Sequence, residues 1–374
     1  MNRFLAILVK EFRQIRRDPL SLGLLIFVPA LMLVLYGYAL SFDVKHIQMA
    51  VLDQDHTQES REFLDSLFQN PYFDRARDIL RPGEADHLLD RGLVRGVLVV
   101  PRGYSAALSR GEAAKVQVLV DGAEANASAA TMGYLDALAD RATRQMTAQT
   151  LREAGLQASL PIVAPEPRIW FNPELKSAKF LVPGLIAMLL MLSAVITTSL
   201  SIVREKEHET MEQIMVSPVK PYELVLGKTM PYVAIGFATM GLILVLGRIL
   251  FDIHVQGSYL LLGTGTLLFL FAALGMGILI SALTKSQQIA FTVAIITSLL
   301  PSILLSGLIF PIQNMPGFIQ AATYLIVPRY FVAALRGIIL KGATLSSVWQ
   351  DFVCMLILGI IFNFIAARVT RKTV

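Results

Sequence analysis

The sequence predicts an α-helical membrane protein: six transmembrane helices, with an α/β extracytoplasmic domain between the first and second. Three observations predict this class. Hydrophobic residues make up 55% of the 374 and charged residues 16%, with a mean hydropathy of +0.59; soluble domains carry about one quarter charged residues. Six apolar runs approach or exceed the ~20 residues that cross ~30 Å of hydrocarbon. The charge is also divided: residues 42–177 hold 15 Lys/Arg and 19 Asp/Glu, net −4, and the rest holds 18 and 9, net +9. Such a chain is neither disordered nor dominated by nucleic-acid binding, and a purely soluble enzyme is disfavoured.

The apolar runs are 20–40, 180–203, 230–247, 259–283, 289–309 and 352–367, and none contains Lys, Arg, Asp or Glu. Trp349 and Arg368 flank the shortest as interface anchors. Buried helices of a soluble core would need polar faces that these runs lack. The 21-residue first run is followed by no clear small-x-small cleavage site, which favours a retained anchor over a signal peptide. Short-loop Lys and Arg favour the cytoplasm. Lys10, Arg13, Arg16 and Arg17 precede the first span, Arg204, Lys206, Lys220 and Lys228 follow the second, and Arg368, Arg371 and Lys372 follow the sixth. The expected placement is the bacterial cytoplasmic (inner) membrane, multi-pass, with both termini cytoplasmic and the 42–177 insert outside. Cys354 is the single cysteine, so no disulfide constrains the insert.

Within the insert the hydrophobic period changes. Residues 46–52, 92–100 and 115–120 read as strands, 57–68 as a helix capped at Thr57, and 124–154 as a long Ala-rich helix. Alternating strands and helices suggest a small α/β domain. His46, His56 and His87 are scattered without ligand spacing, and no metal site is expected. The insert has the size of a binding or docking module.

Two strings resemble enzyme motifs and fail the test. Gly227-Lys228-Thr229 ends like a phosphate-binding loop, but the required earlier glycine is Tyr222 and an apolar run follows. His208-Glu209-Thr210-Met211-Glu212 has Glu212 where a zinc protease needs its second histidine. The chain is therefore expected to bind no cofactor of its own. Mid-span ionisable residues, which an ion-driven carrier would need, are missing from the six runs.

Three segments are neither spans nor simple loops. Residues 1–18 place Phe4, Ile7, Leu8, Phe12 and Ile15 on one helical face and Lys10, Arg13 and Arg17 on the other, with Arg16 alongside. This is an interfacial helix attracted to anionic membrane lipid, separated from the first span by Asp18-Pro19. Residues 204–218, REKEHETMEQIMVSP, join a dense charge run to an apolar face of Met211, Ile214 and Met215. Residues 310–340 are apolar but broken by Pro311, Pro316 and Pro328. The two pieces, 317–327 and 329–340, are too short to cross and suit a re-entrant or interfacial helix pair.

This layout resembles the ABC-2 type transporter permeases, the membrane subunits of ATP-driven exporters, in the drug-export-like branch with a large extracytoplasmic domain. The string REKEHETMEQIMVSPVKPYELVLGK at 204–228 is similar to the family's cytoplasmic signature, with Glu209 where the family has glycine. LSGLIFPIQNMP at 305–316 and VLDQD at 51–55 are similar to further landmarks. The resemblance spans essentially the whole chain. It implies a coupling helix at 204–216 in which Arg204, Glu205, Lys206, Glu207, Thr210, Glu212 and Gln213 meet the ATPases, together with the interfacial helix residues Lys10, Phe12, Arg13, Arg16 and Arg17. It also implies an outer gate over 310–340 that includes Phe310, Pro311, Pro316, Pro328, Arg329 and Arg336. The implied partners are separate ABC ATPase subunits that hold ATP and magnesium, a second permease as homodimer or paralogous heterodimer, and a periplasmic adaptor protein. No nucleic-acid partner is expected. Implied substrates are amphipathic: drugs or lipid-like molecules.

Two other classes compete. A membrane receptor would need a cytoplasmic output domain, whereas every expected cytoplasmic piece is shorter than 30 residues. An intramembrane enzyme would need a mid-membrane catalytic set, which the spans lack.

Overall fold

A computed structural model describes residues 3–17, 19–39, 46–70, 72–123, 128, 131–139, 143, 170–172, 176–208 and 221–372. The chain divides into two compact units, one made of residues 1–41 and 168–374, the other of residues 42–167.

The second unit is α/β. Its elements are β1 (Ile47–Asp53), α1 (Gln58–Phe68), β2 (Phe73–Asp78), α2 (Pro82–Asp90), β3 (Gly96–Val100), α3 (Tyr104–Ser109) and β4 (Gln117–Val120), and residues 131–139 are helical. The sheet order is β2-β1-β3-β4: β1 runs parallel to both β2 and β3, and β4 closes antiparallel on β3 with Val97 opposite Leu119. Alternation along β1 sends Ile47, Met49 and Val51 to a core with Leu64, Leu67 and Leu135. Ala50 and Leu52 go to the other face with Ala85 and Leu88 of α2.

The expected strand at 92–100 begins only at Gly96, because Gly92 turns the chain in a left-handed conformation (φ 62°) after α2. Thr57 caps α1 as anticipated, accepting from the Ser60 amide. The Asp55 carboxylate sits at the carboxyl ends of β1 and β3. It accepts from the Gly103 amide (2.7 Å), the Ser105 amide (3.0 Å) and the Thr57 hydroxyl (2.8 Å). The Ser105 amide above all, with Thr57 and Gly103 outweighing desolvation, holds its pKa down at about 2.

The first unit is helical: α4 (Arg3–Arg17), α5 (Pro19–Ala39), α6 (Ser177–Glu207), α7 (Pro221–Phe251), α8 (Tyr259–Leu283), α9 (Gln287–Leu304), α10 (Gly317–Thr323), α11 (Val327–Lys341) and α12 (Leu345–Lys372). Five described helices, α6 to α9 and α12, are long and apolar enough to cross a membrane. The expected first span falls on α5, whose described apolar stretch, Leu25–Ala39, is shorter.

Helix α6 is central, buried without interruption from Leu181 to Met191, and it packs against α5, α7, α8, α9 and α11. A helix apolar all round is stable only in such a place. Small residues set its closest approaches. Ala290, Ala294, Ser298 and Ser302 are the buried positions of α9, the helix that packs chiefly on α6, and each serine returns its hydroxyl to the carbonyl four residues back. Gly277 of α8 lies where a Cβ would come within 3.0 Å of the Val195 carbonyl and 2.8 Å of the Thr198 Cβ.

Helices α10 and α11 meet at 83°, so they form a bent pair rather than a straight span. Pro328 does not divide them as the sequence suggested. It occupies the first turn of α11, where its missing N–H costs no helical bond, and the break falls at residues 324–326.

Two expectations follow. Gly277→Leu forces α8 off α6 and lowers stability by about 1–3 kcal/mol, read as an earlier thermal unfolding transition in detergent. The stability that Asp55 provides is present above its ordinary pKa of 3.8 and lost as pH falls toward about 2. Pepsin cleavage near residues 103–109 should therefore rise across that window in the wild type, and should be high throughout it in Asp55→Asn.

Candidate functional site

The charged end of α6 gathers its neighbours. Expected as the start of a separate coupling helix, residues 204–207 are instead the last turn of α6, which runs on four residues past its apolar stretch. Of the anticipated coupling residues, Arg204, Glu205, Lys206 and Glu207 are described; Thr210, Glu212 and Gln213 lie outside the described residues. Arg204 and Glu207 are exposed.

The three residues that close α6 each hold a different helix. The Glu205 carboxylate accepts from Lys10 of α4 (2.9 Å) and from Lys228 of α7. Lys206 donates from Nζ to the Ser281 carbonyl in the last turn of α8. Glu207 accepts from the Gln287 amide (2.7 Å) and side chain at the first turn of α9. The cation thus lies at the negative end of one helix and the anion at the positive end of the next, as helix dipoles favour.

Around Glu205 the charges are buried. Glu11 of α4 is 2% exposed, Lys228 is 4% and Glu205 12%. Lys228 reaches Glu11 at 4.0 Å, and Lys10, half exposed, bridges Glu11 (3.0 Å) and Glu205. Two ammonium groups and two carboxylates balance. Burial works against the charge on Lys10, but its bonds to Glu205 and Glu11 outweigh this and raise its pKa.

Helix α4 is amphipathic, and it also buries an acid. Glu11 points into the unit, and Ile7 sits against Gly227, where a Cβ would approach within 2.7 Å. Phe12, expected on the apolar face of an interfacial helix, is 45% exposed, beside exposed Arg13, Arg16 and Arg17. Glu11, Lys228, Ser281 and Gln287 were not among the anticipated site residues. Two signals marked them: Glu11 is the sole acid in α4, and Lys228 ends the Leu-Gly-Lys run.

At the opposite end of α6 lies the expected gate segment. Arg336 of α11 donates to the carbonyls of Phe180 (3.2 and 3.3 Å), Gly307 (2.9 Å) and Leu308 (3.2 Å), with its guanidinium 3.7 Å from the centre of the Phe180 ring. Gly307 presents that carbonyl from a left-handed turn (φ 81°). Arg329 stacks on Tyr324, 4.0 Å from the ring centre, and bonds the Thr323 hydroxyl, bracing the bend between α10 and α11. Pro311 and Pro316 flank the short 3-10 turn Ile312–Asn314, and Phe310 is exposed. Arg329 and Arg336 are thus not a pair acting on one point. One braces the bend, and the other ties α11 to α6.

Removing one partner of the buried pair leaves the other charge stranded. Glu205→Gln should cost about 3–5 kcal/mol. The double variant Glu205→Gln with Lys228→Met should be less destabilised than the sum of the singles, by about 1–3 kcal/mol, measured by thermal unfolding in nanodiscs.

With this geometry in hand, comparison with known proteins is direct. Residues 20–368 match the family described as ABC-2 family transporter protein. The chain is 34% identical over 342 residues to the probable multidrug ABC transporter permease YbhS of Escherichia coli, covering 91% of this chain and 89% of that one. It is 26% identical over 373 residues to the probable multidrug ABC transporter permease YbhR of the same organism, covering 100% and 99%. It is 22% identical to the linearmycin resistance permease protein LnrN of Bacillus subtilis, covering 93% and 94%. A shared length, a run of membrane-capable helices and a match across both units lead to one conclusion: the chain belongs to the ABC-2 type family of transporter permeases.

Proposed function

We propose that this permease is the membrane subunit of an exporter driven by separate ATPase subunits, which hold ATP and magnesium, and that it moves amphipathic or hydrophobic molecules outward across the cytoplasmic membrane. In this reading α5, α6 to α9 and α12 are the six spans. The termini and the Glu205 end of α6 face the cytoplasm, the α/β unit lies outside, and two permeases, identical or paralogous, pair. The relatives named as multidrug and linearmycin-resistance permeases support the substrate class.

One observation carries the mechanism. Residues 205–207, inside the 204–216 segment expected to meet the ATPases, are bonded one by one to α4 and α7, to α8, and to α9. A push delivered on 204–216 therefore reaches five helices together, not α6 alone. The far end of α6 is held by Arg336 to α11 and the 307–308 turn. From Phe180 to Glu205 is 25 residues, about 37 Å of helix. A tilt of that rod links an ATP-driven movement on one side to the bent helix pair on the other. The ion cluster supplies stiffness, since a packed buried network has few intermediate arrangements.

The test separates coupling from folding. Glu205 is too deeply buried for charge reversal to be informative, whereas Glu207 is exposed and its partners belong to α9. Glu207→Ala should leave the permease folded and bound to its ATPase, while ATP-driven efflux of an amphipathic dye from proteoliposomes falls roughly tenfold, the worth of about one charge-assisted hydrogen bond in the moving state. Unchanged efflux would remove 205–207 from the coupling path. ATP binding by the purified chain alone would overturn the two-subunit reading.

A further inference from the structure

The ion cluster at Glu205 balances its charges, but the opposite end of α6 does not. Residues 170–180 and 336–341 hold four cations, Lys176, Lys179, Arg336 and Lys341, and one acid, Glu174, a net charge of +3 (4 − 1). Glu174 lies outside the described residues, and the first turn of α6 has no acid. Among the described residues neither Arg336 nor Lys341 forms an ion pair. Both rest on aromatic rings at the entry to α6: Arg336 covers Phe180, and the Lys341 ammonium lies 5.9 Å from the centre of the Phe171 ring. A ring face attracts a cation but carries no net charge, so the face stays positive. The carbonyl bonds of Arg336 use four of its five N–H groups and leave one on Nη1. Lys341 makes no hydrogen bond among the described residues, and the negative end of α11 offsets only about half a charge there.

The backbone is bent to display the aromatic part of this face. Phe171 adopts a left-handed conformation (φ 67°), an outlier for a bulky residue. Trp170 packs edge-on against it with ring centres 6.1 Å apart, and both rings stand exposed. Asn172 fixes the turn, accepting from the Lys176 amide (3.1 Å) and donating to its carbonyl (3.0 Å). Strain of this kind persists only where the surroundings hold it, and it clusters at binding sites. Exposed tryptophan beside cations marks the headgroup level of a bilayer. Lysine and arginine are otherwise biased to the cytoplasmic side. A positive patch at this end, the outer one in the topology proposed above, runs against that bias and calls for a counter-charge from outside the chain.

We propose that this face holds an anionic phospholipid of the outer leaflet, with its phosphate at Arg336 and Lys341 and its upper acyl chains against Trp170 and Phe171. The lipid is resident on the outside of the bundle and is not cargo. It supplies the negative charge that the tie between α11 and α6 lacks. The proposal rests on the topology given above only for which leaflet provides the lipid.

The chain has two tryptophans, which makes the test local: Trp170 lies beside these cations, and Trp349 lies two residues before Asp351. The full-length permease is placed in nanodiscs of equal phosphatidylglycerol and phosphatidylcholine with matched acyl chains. Bromine on the chains of one lipid or the other then reports, by quenching, which lipid touches each indole. With Trp170 as the sole tryptophan (Trp349→Phe), the anionic lipid should appear enriched about fivefold, the worth of one cation at a membrane surface. With Trp349 as the sole tryptophan (Trp170→Phe), both lipids should quench alike. Lys341→Gln, at an exposed position, should lower the enrichment at Trp170 by roughly half, and Arg336→Gln with Lys341→Gln should abolish it. Raising the salt concentration should also abolish it, a readout that needs no charge variant to fold. Equal quenching of Trp170 by both lipids would overturn the proposal. So would an equal enrichment at Trp349, or an enrichment indifferent to salt or to the double substitution. Both leaflets of the nanodisc have the same composition and no ATP is present, so failure here leaves the exporter reading standing, and failure of ATP-driven efflux would leave the lipid preference intact.

Discussion

A carboxylate buried without a partner in an apolar bundle is prohibitively costly, and the membrane unit is organised around avoiding that at Glu205. The residue ends a helix apolar for most of its length, and it is stabilised only because Lys228 and Lys10 come to it from two other helices. Dispersion and small-residue packing bring helices together along their lengths without fixing how far one slides past the next. The charges fix that register. Lys206 and Glu207 extend the same constraint to α8 and α9 through the partial charges of helix ends. Three consecutive residues of α6 thus set the relative heights of five helices.

The two ends of α6 solve different problems with different chemistry. At the Glu205 end, opposite charges meet and neutralise one another. At the Phe180 end, Arg336 is solvated by carbonyls of two segments and the face of an aromatic ring. Carbonyl contacts of this kind can be exchanged one at a time, whereas the ion cluster must be broken as a whole. A stiff end is thus joined to a more adaptable one.

Much of this was legible in the sequence, for identifiable reasons. Apolar runs declare themselves by composition, and α6, α7, α8, α9 and α12 lie over five of the six. Thr57 was readable as a cap because capping is local. Strand β2, Phe73–Asp78, escaped because it is an edge strand whose exposed residues, Arg75 to Asp78, carry no alternating apolar signal. The charge cluster escaped for a deeper reason. Lys10 and Glu205 are 195 residues apart, and the sequence of each helix shows a charge without showing its partner. The anticipated residues Glu205, Lys206 and Glu207 do lie together, and each also bonds a neighbouring helix, Glu207 while remaining exposed, which the sequence alone did not show.

The Glu11–Lys228 contact also has a consequence for biogenesis. Its two halves sit in α4 and in a helix that begins at residue 221, so the contact cannot close until α5, α6 and the first turns of α7 have been made. Helix α4 must wait, with the cationic side that bears Arg13, Arg16 and Arg17 available to anionic headgroups, until Lys228 arrives. Helix α4 is thus made well before the lysine that meets its buried acid, so its synthesis and its docking are separated by the synthesis of two further helices.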